Sequence, residues 1–397
     1  MFIEALTNGA RSSPGKNTLR LLQIQWGWIP PGTTESHRAA QRSAHLRSLN
    51  KGFGKATRHQ LFVHCGWWLD GGMSGAVKVI TAGNPEPNRA LSPASPAYLK
   101  KLGENVENGR LEYVAYPYAA CVTEATSFEG LLRSLRFSRD VARRVFGKNP
   151  RVYMGHDGVY DLDWGTPQMP HLVKLLGGEF IVSGKEGVLV APDGTATETF
   201  GYEKSLFEIA KHPSSLLQPA VFCMEMHEHL RHMDELNEGT HFLNRALNVQ
   251  ANAVTLDEYL GSRKTPQRRW DSARIGSKGW YGGIIDALVL EQMVKSVELR
   301  LPALEALAVF NPPARAREFQ RKLSDLWKQS FVLMDNHLLW QCHQFKPHYI
   351  QCAGKLAAAC EKMEQMRWGA GEPPSRIWFS TRHRGDGAGS LGKRKGM

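Results

Sequence analysis

The sequence predicts an α/β protein, with a domain built on a parallel sheet followed by a helical domain. Three observations carry this. Between residues 111 and 183 short strand-like runs alternate with amphipathic segments of helix length, the pattern of βαβ units. Beyond about residue 265, three long segments place apolar residues at helical spacing, with Asn311-Pro312-Pro313 between two of them. The length of 397 residues leaves room for more than one domain and a sizeable core.

The elements follow in order. Residues 1–60 contain a short apolar run, Leu21–Trp28, between basic and polar stretches. Leu61–Trp68 has strand composition and is broken by Gly71-Gly72. Residues 83–96, rich in Pro, Asn and Ser, read as a surface loop. Leu111–Tyr118 reads as a strand, Ser127–Phe146 as a helix and Arg151–Met154 as a strand. His171–Leu176 is a short helix and Glu179–Ser183 another strand. Lys185–Gly194 reads as a hairpin turning at Pro192-Asp193-Gly194. Residues 270–283 lack the spacing of a phosphate-binding loop and lead into the helical domain. There Gly283–Phe310, Glu318–Trp340 and Ile350–Met366 each carry a helical stripe, for example Met293, Val297, Leu301 and Leu304. The expected domains are 1–265 (α/β), 266–366 (helical) and a basic, disordered tail at 367–397.

Charge narrows the partners. The net charge of +12 comes entirely from the ends, +7 in residues 1–60 and +5 in residues 367–397, around a neutral middle. A basic groove built into the fold is therefore not expected, and neither is a specific nucleic-acid partner. No apolar run approaches the ~18 residues that span a bilayer, so no membrane partner is expected. Nor does Met1–Lys16 read as a signal peptide. Six scattered cysteines without a CxxC pair read as buried thiols of a reducing compartment, and a cytoplasmic protein is expected. Oligomeric state is not legible.

Two stretches are dense in titratable groups. In Met224–His232, His227-Glu228 starts a zincin-like pattern, but Arg231 stands where the second His belongs. The cluster reads as a solvated helix face or loop, with Glu225 and Glu228 as candidate general acids. The other stretch, His156–Trp164, directly follows a strand and so sits at the C-terminal end of a parallel sheet, where α/β enzymes place chemistry. Its Asp157, Asp161 and Asp163, beside His156, Tyr160 and Trp164, suit a cation or a sugar, and equally suit a turn. Trp26, Trp28, Trp67 and Trp68 lie near strand ends, where their rings could stack on a carbohydrate or fill the core.

Read as a continuous string, residues 105–183 resemble the N-terminal catalytic domain of glycoside hydrolase family 38, the α-mannosidases. The matching pieces are Glu107-Asn108-Gly109-Arg110-Leu111-Glu112, the segment Glu124–Phe128 with Leu131-Leu132-Arg133-Ser134-Leu135, and Phe146-Gly147. Pro150-Arg151-Val152, Asp157, Pro170, Leu172-Val173-Lys174 and Gly177 complete the order. Glu298–Leu307, Leu326-Trp327-Lys328 and Lys355–Met363 resemble the family's middle helical domain. The resemblance implies a seven-stranded (β/α) barrel followed by a three-helix bundle. It also implies retaining hydrolysis of α-mannosides with one bound zinc ion, a carboxylate nucleophile that ligates the metal, and a second carboxylate as acid/base.

Carried over by position, the nucleophile and metal ligand falls on Asp157 counting from Pro150, and on Asp161 counting back from Pro170. Asp157 is favoured because it follows the strand directly. Glu228 is the candidate acid/base, and Trp28, Trp67 and Trp164 are the candidate sugar-stacking rings. The family's first motif, His-x-Asp-x-Gly-Trp, matches Gln23-Ile24-Gln25-Trp26-Gly27-Trp28, with glutamine in place of both metal ligands. The last ligand aligns with Asn336, with His337 one position later. The expected function is a glycoside hydrolase with a carbohydrate substrate and a degenerate zinc site. The alternatives are a catalytically inactive relative that binds glycans or acts as a scaffold, and a truncated or frame-altered product.

Overall fold

A computed structural model describes residues 18–26, 60–64, 66–70, 96–109, 111–119, 126–154, 167–183, 186–201, 221–225, 250–263, 266–272, 288–308, 313–334 and 342–368. Their strands are β1 (Thr18–Trp26), β2 (Gln60–His64), β3 (Leu111–Ala115), β4 (Val152–Met154) and β5 (Phe180–Ser183), then β6 (Gly187–Val190), β7 (Ala196–Gly201), β8 (Val221–Glu225), β9 (Gln250–Ala253) and β10 (Arg269–Asp271). The helices are α1 (Gly66–Leu69), α2 (Pro96–Glu107), α3 (Phe128–Phe146), α4 (Met169–Leu175), α5 (Leu256–Ser262), α6 (Leu288–Ala308), α7 (Pro313–Leu333) and α8 (Cys342–Trp368). The fold is mixed α/β, and among the described residues no helix is long and apolar enough to cross a membrane.

All ten strands join one sheet in the order β10-β6-β7-β5-β4-β3-β2-β1-β8, with β9 also on β1. From β8 through β1 to β5 and β7 every neighbour is parallel, and only the β6–β7 hairpin is antiparallel. Leu21 pairs with both Val221 and Ala253, so β8 and β9 take opposite edges of β1 and β9 lies in line with β2. The sheet continues past residue 265, because Arg269–Asp271 pair with Val188–Val190.

Local chemistry explains the central elements. Ser127 caps α3 by accepting from the Gly130 N–H, Glu129 sits in its first turn, and Arg143 and Arg144 sit in its last, as the helix dipole favours. Gly147 ends it with φ 70°, a left-handed conformation that glycine adopts without steric cost. Leu131, Leu135, Val141 and Ala142 lie on its buried face with Ser134 and Ser138. Thr255 and Glu258 form a reciprocal capping box at the start of α5. Helices α6, α7 and α8 pack pairwise, and α7 also packs on α3. Val297, Leu301, Leu304, Leu323, Trp327, Phe331, Leu356 and Cys360 are buried in the core that results.

Two sequence readings change. The strand expected over Leu61–Trp68 stops at His64, and Gly66–Leu69 is helical. The cause is a close approach, since a Cβ on Gly66 would collide with the Ser138 hydroxyl of α3, and the chain turns there. Trp67 therefore stands in a helix rather than at a strand end. Similarly, Met224 and Glu225, read as part of a helix face or loop, close the strand β8.

Candidate active face and domain seam

The C-terminal ends of the parallel strands form one side of the sheet, ending at Trp26, His64, Ala115, Met154, Ser183, Gly201 and Glu225. In register, Gln25 stands between Phe62 of β2 and Glu225 of β8, and His64 beside Ala115. Parallel sheets gather functional groups at this end, because the loops that leave it converge. The segment holding Asp157, Asp161 and Trp164 leaves β4 here, and the segment holding Glu228 leaves β8. These four residues, with Trp28 and His337, lie outside the described residues, as does the Trp67 side chain. The described part of the face thus adds Glu225, the last residue of β8, the strand that ends the sheet order on this side.

Of the four expected metal positions, only Gln23 and Gln25 fall on described backbone, opposite Cys223 and Glu225. Among the described residues no three His, Cys, Asp or Glu side chains gather as a metal site would need. Neutral amide oxygens are poor donors for zinc beside imidazole, thiolate or carboxylate. Gln23 and Gln25 by themselves do not fit a zinc ion.

Just past the C-terminal ends of β2 and β3, helices α6 and α7 are fastened to the rest of the fold by polar contacts. Asp70, just past α1 and 2% exposed, is the hub. One of its oxygens accepts from Arg144 Nη2 at 2.5 Å, the other from Lys328 Nζ at 2.7 Å and the Tyr118 hydroxyl at 2.8 Å. Burial opposes its ionisation, but Lys328, Tyr118 and Arg144 outweigh that and hold its carboxyl below the usual range. Tyr118, whose hydroxyl is pushed well up by burial and by Asp70, also sends its backbone N–H to Ser134 Oγ at 2.8 Å. Around the hub Tyr118, Phe137, Trp327 and Phe331 form an aromatic cluster with centroid separations of 5.7–5.9 Å. Nearby, Glu305 of α6 receives Arg133 Nη2 at 2.7 Å and the Trp327 indole N–H at 2.9 Å.

Sequence reasoning did not single out Asp70, Lys328 or Glu298 for this seam. Asp70 and Lys328 are 258 positions apart, and no local pattern links them. The run Val221-Phe222-Cys223-Met224 was the available signal for β8, masked by the titratable cluster that follows it.

No sequence family and no curated protein matches this chain. Solved structures do match it. A 4-alpha-glucanotransferase from Thermococcus litoralis superposes with a TM-score of 0.54 at 12% identity, over 88% of this chain and 60% of that one. The chain has a glycoside hydrolase-like fold. A GH57-type branching enzyme from Pyrococcus horikoshii gives 0.55 at 11% identity, over 87% of this chain and 88% of the enzyme. A glycosyl hydrolase family 38 protein from Enterococcus faecalis gives 0.52 at 12% identity, over 89% of this chain and 40% of that one. The chain thus spans less than two thirds of the glucanotransferase and less than half of the family 38 protein. At these identities the likeness is one of fold, and it is shared by families 38 and 57 alike.

Proposed function

We propose that this chain is a carbohydrate-active enzyme that hydrolyses α-linked glycosides, with α-mannosides as its substrate class. The observation that carries the reading is the likeness of this α/β fold, with its parallel run β8-β1-β2-β3-β4-β5-β7, to solved glycoside hydrolases. In this reading those seven strands correspond to the family's barrel, and α6, α7 and α8 to its three-helix bundle. The enzyme works in the cytoplasm.

Asp157, three residues beyond β4, attacks the anomeric carbon as the leaving oxygen takes a proton from a second carboxylic acid. That acid is Glu228, or Glu225 at the end of β8. Water, deprotonated by the same carboxylate, then attacks the glycosyl ester from the opposite side and frees Asp157, so the anomeric configuration is retained. Asp161 is the alternative nucleophile, and Trp28, Trp67 and Trp164 supply stacking faces. His337, one position after the aligned Asn336, is the candidate for the family's last metal ligand.

The test is hydrolysis of an aryl α-mannoside beside an aryl α-glucoside, with the first-formed anomer read by NMR and the bound metal measured. Release of α-mannose as the first product supports the reading. Preference for the glucoside would move the substrate class, and an inverted product would remove the covalent intermediate.

One observation favours a second reading. Gln23 and Gln25 stand where the resemblance calls for a histidine and an aspartate, as expected of a relative that binds glycans or serves as a scaffold without turning over. Saturable mannoside binding with no turnover would select it.

A further inference from the structure

A cavity of about 300 Å³ opens at the N-terminal ends of β3 and β4, away from the strand ends discussed above. Phe146 at the end of α3 and Leu256 at the start of α5 close its sides, together with Val106, Leu111, Tyr113 and Val254. Most of this wall is apolar, and the cavity has the size of a small-molecule pocket.

Glu112 breaks that wall. It is half-buried, and its carboxylate has neither a hydrogen bond nor an ion pair among the described residues. Burial pushes its carboxyl up; Arg151 and Lys148 oppose the shift, while Asp257 and Glu179 add to it. Of the two cations that line the cavity beside it, Arg151 is already committed to other carboxylates, and Lys148 makes no hydrogen bond to Glu112. Arg151 donates through Nε and Nη2 to both oxygens of Glu179 at 3.1 Å, and through Nη1 to Asp257 at 2.9 Å. Among the described residues, Glu112, Glu179 and Asp257 against Arg151 and Lys148 leave one negative charge uncompensated.

We propose that this cavity is a second binding site, which takes a small organic cation: a primary ammonium on Glu112 and an apolar or aromatic body against Tyr113, Phe146 and Leu111. An ammonium supplies charged hydrogen bonds to a carboxylate that water reaches poorly. The Tyr113 and Phe146 rings, 5.3 Å apart and tilted at 45°, add ring faces that attract a cation. An anion would meet Glu112, and a neutral alcohol would leave its charge unanswered. The site stands apart from the glycosidase reading, since it occupies the other end of the strands.

The experiment is titration of the full chain with 2-phenylethylamine, by calorimetry and by the methyl resonances of Val106, Leu111, Val254 and Leu256. The expected result is saturable binding with shifts at those methyls, and binding of 2-phenylethanol and 3-phenylpropanoate weaker by about tenfold or more. Glu112→Gln should weaken the amine by a similar factor without lowering the melting temperature. If that variant misfolds, the amine-to-alcohol comparison on the unaltered chain still decides. Equal binding of alcohol and amine, equal binding by Glu112→Gln, methyl shifts elsewhere only, or no saturable amine binding would each overturn the proposal.

Discussion

Glu298 of α6 accepts two hydrogen bonds from Ser127, the residue that caps α3, one from the hydroxyl at 2.6 Å and one from the backbone N–H at 3.1 Å. Both fall on one carboxyl oxygen. The other, Oε1, is buried without a partner among the described residues. A side chain of α6 thus completes the N-terminus of α3, across 171 positions of sequence.

A pH dependence follows. Burial pushes the Glu298 carboxyl up to about 7, with the two Ser127 hydrogen bonds and Lys295 opposing. The folded chain therefore holds this proton where the unfolded chain, near 4.5, has released it. Stability is fully present below pH 4.5 and declines as pH rises towards 7, by at most about 3 kcal/mol. Urea unfolding from pH 4.5 to 8 should show this decline, and Glu298→Gln should flatten it. An unchanged slope in the variant would assign the decline to another group.

The Asp70 hub makes a prediction of opposite kind. Lys328→Met leaves a buried carboxylate with Tyr118 and the half-exposed Arg144 alone, at a cost of about 3 kcal/mol. Adding Asp70→Asn removes the stranded charge, so the double variant should be more stable than the sum of the two losses implies. Strict additivity would show that Asp70 and Lys328 do not couple.

Gly130 lets Glu298 approach α3. A Cβ there would lie 2.6 Å from both carboxyl oxygens, so Gly130→Ala should destabilise the chain by about 1–3 kcal/mol despite the better helix propensity of alanine. Combination with Glu298→Ala should recover part of the loss. A neutral or stabilising Gly130→Ala would mean that the seam yields without cost.

Much of the architecture was legible because its signals are local. Helix α3 has a serine cap, an acidic first turn, a 3.6-residue apolar stripe and a terminal glycine, and it forms over Phe128–Phe146 within the span read from sequence. Pro192-Asp193-Gly194 turned the β6–β7 hairpin as its composition indicated. The elements that escaped lack such signals. Gln250–Ala253 is too polar to read as a strand, and forms one because its backbone pairs with β1. Gly66–Leu69 has strand-like residues and turns helical at a contact with α3 that only the fold creates. The face could be foreseen from Arg151–Met154 as a strand with carboxylates after it. The seam could not, since Asp70, Lys328, Ser127 and Glu298 meet only through tertiary packing.

The glycosidase reading is tested most directly by turnover of an aryl α-mannoside in the unaltered chain and in Asp157→Asn, each shown to melt cooperatively at the same temperature. The account predicts hydrolysis by the first and a loss of at least about a thousandfold in the second, as expected when a carboxylate nucleophile is removed. Full activity in Asp157→Asn would take Asp157 out of the mechanism, and no turnover in the unaltered, folded chain would contradict the assignment of hydrolysis itself.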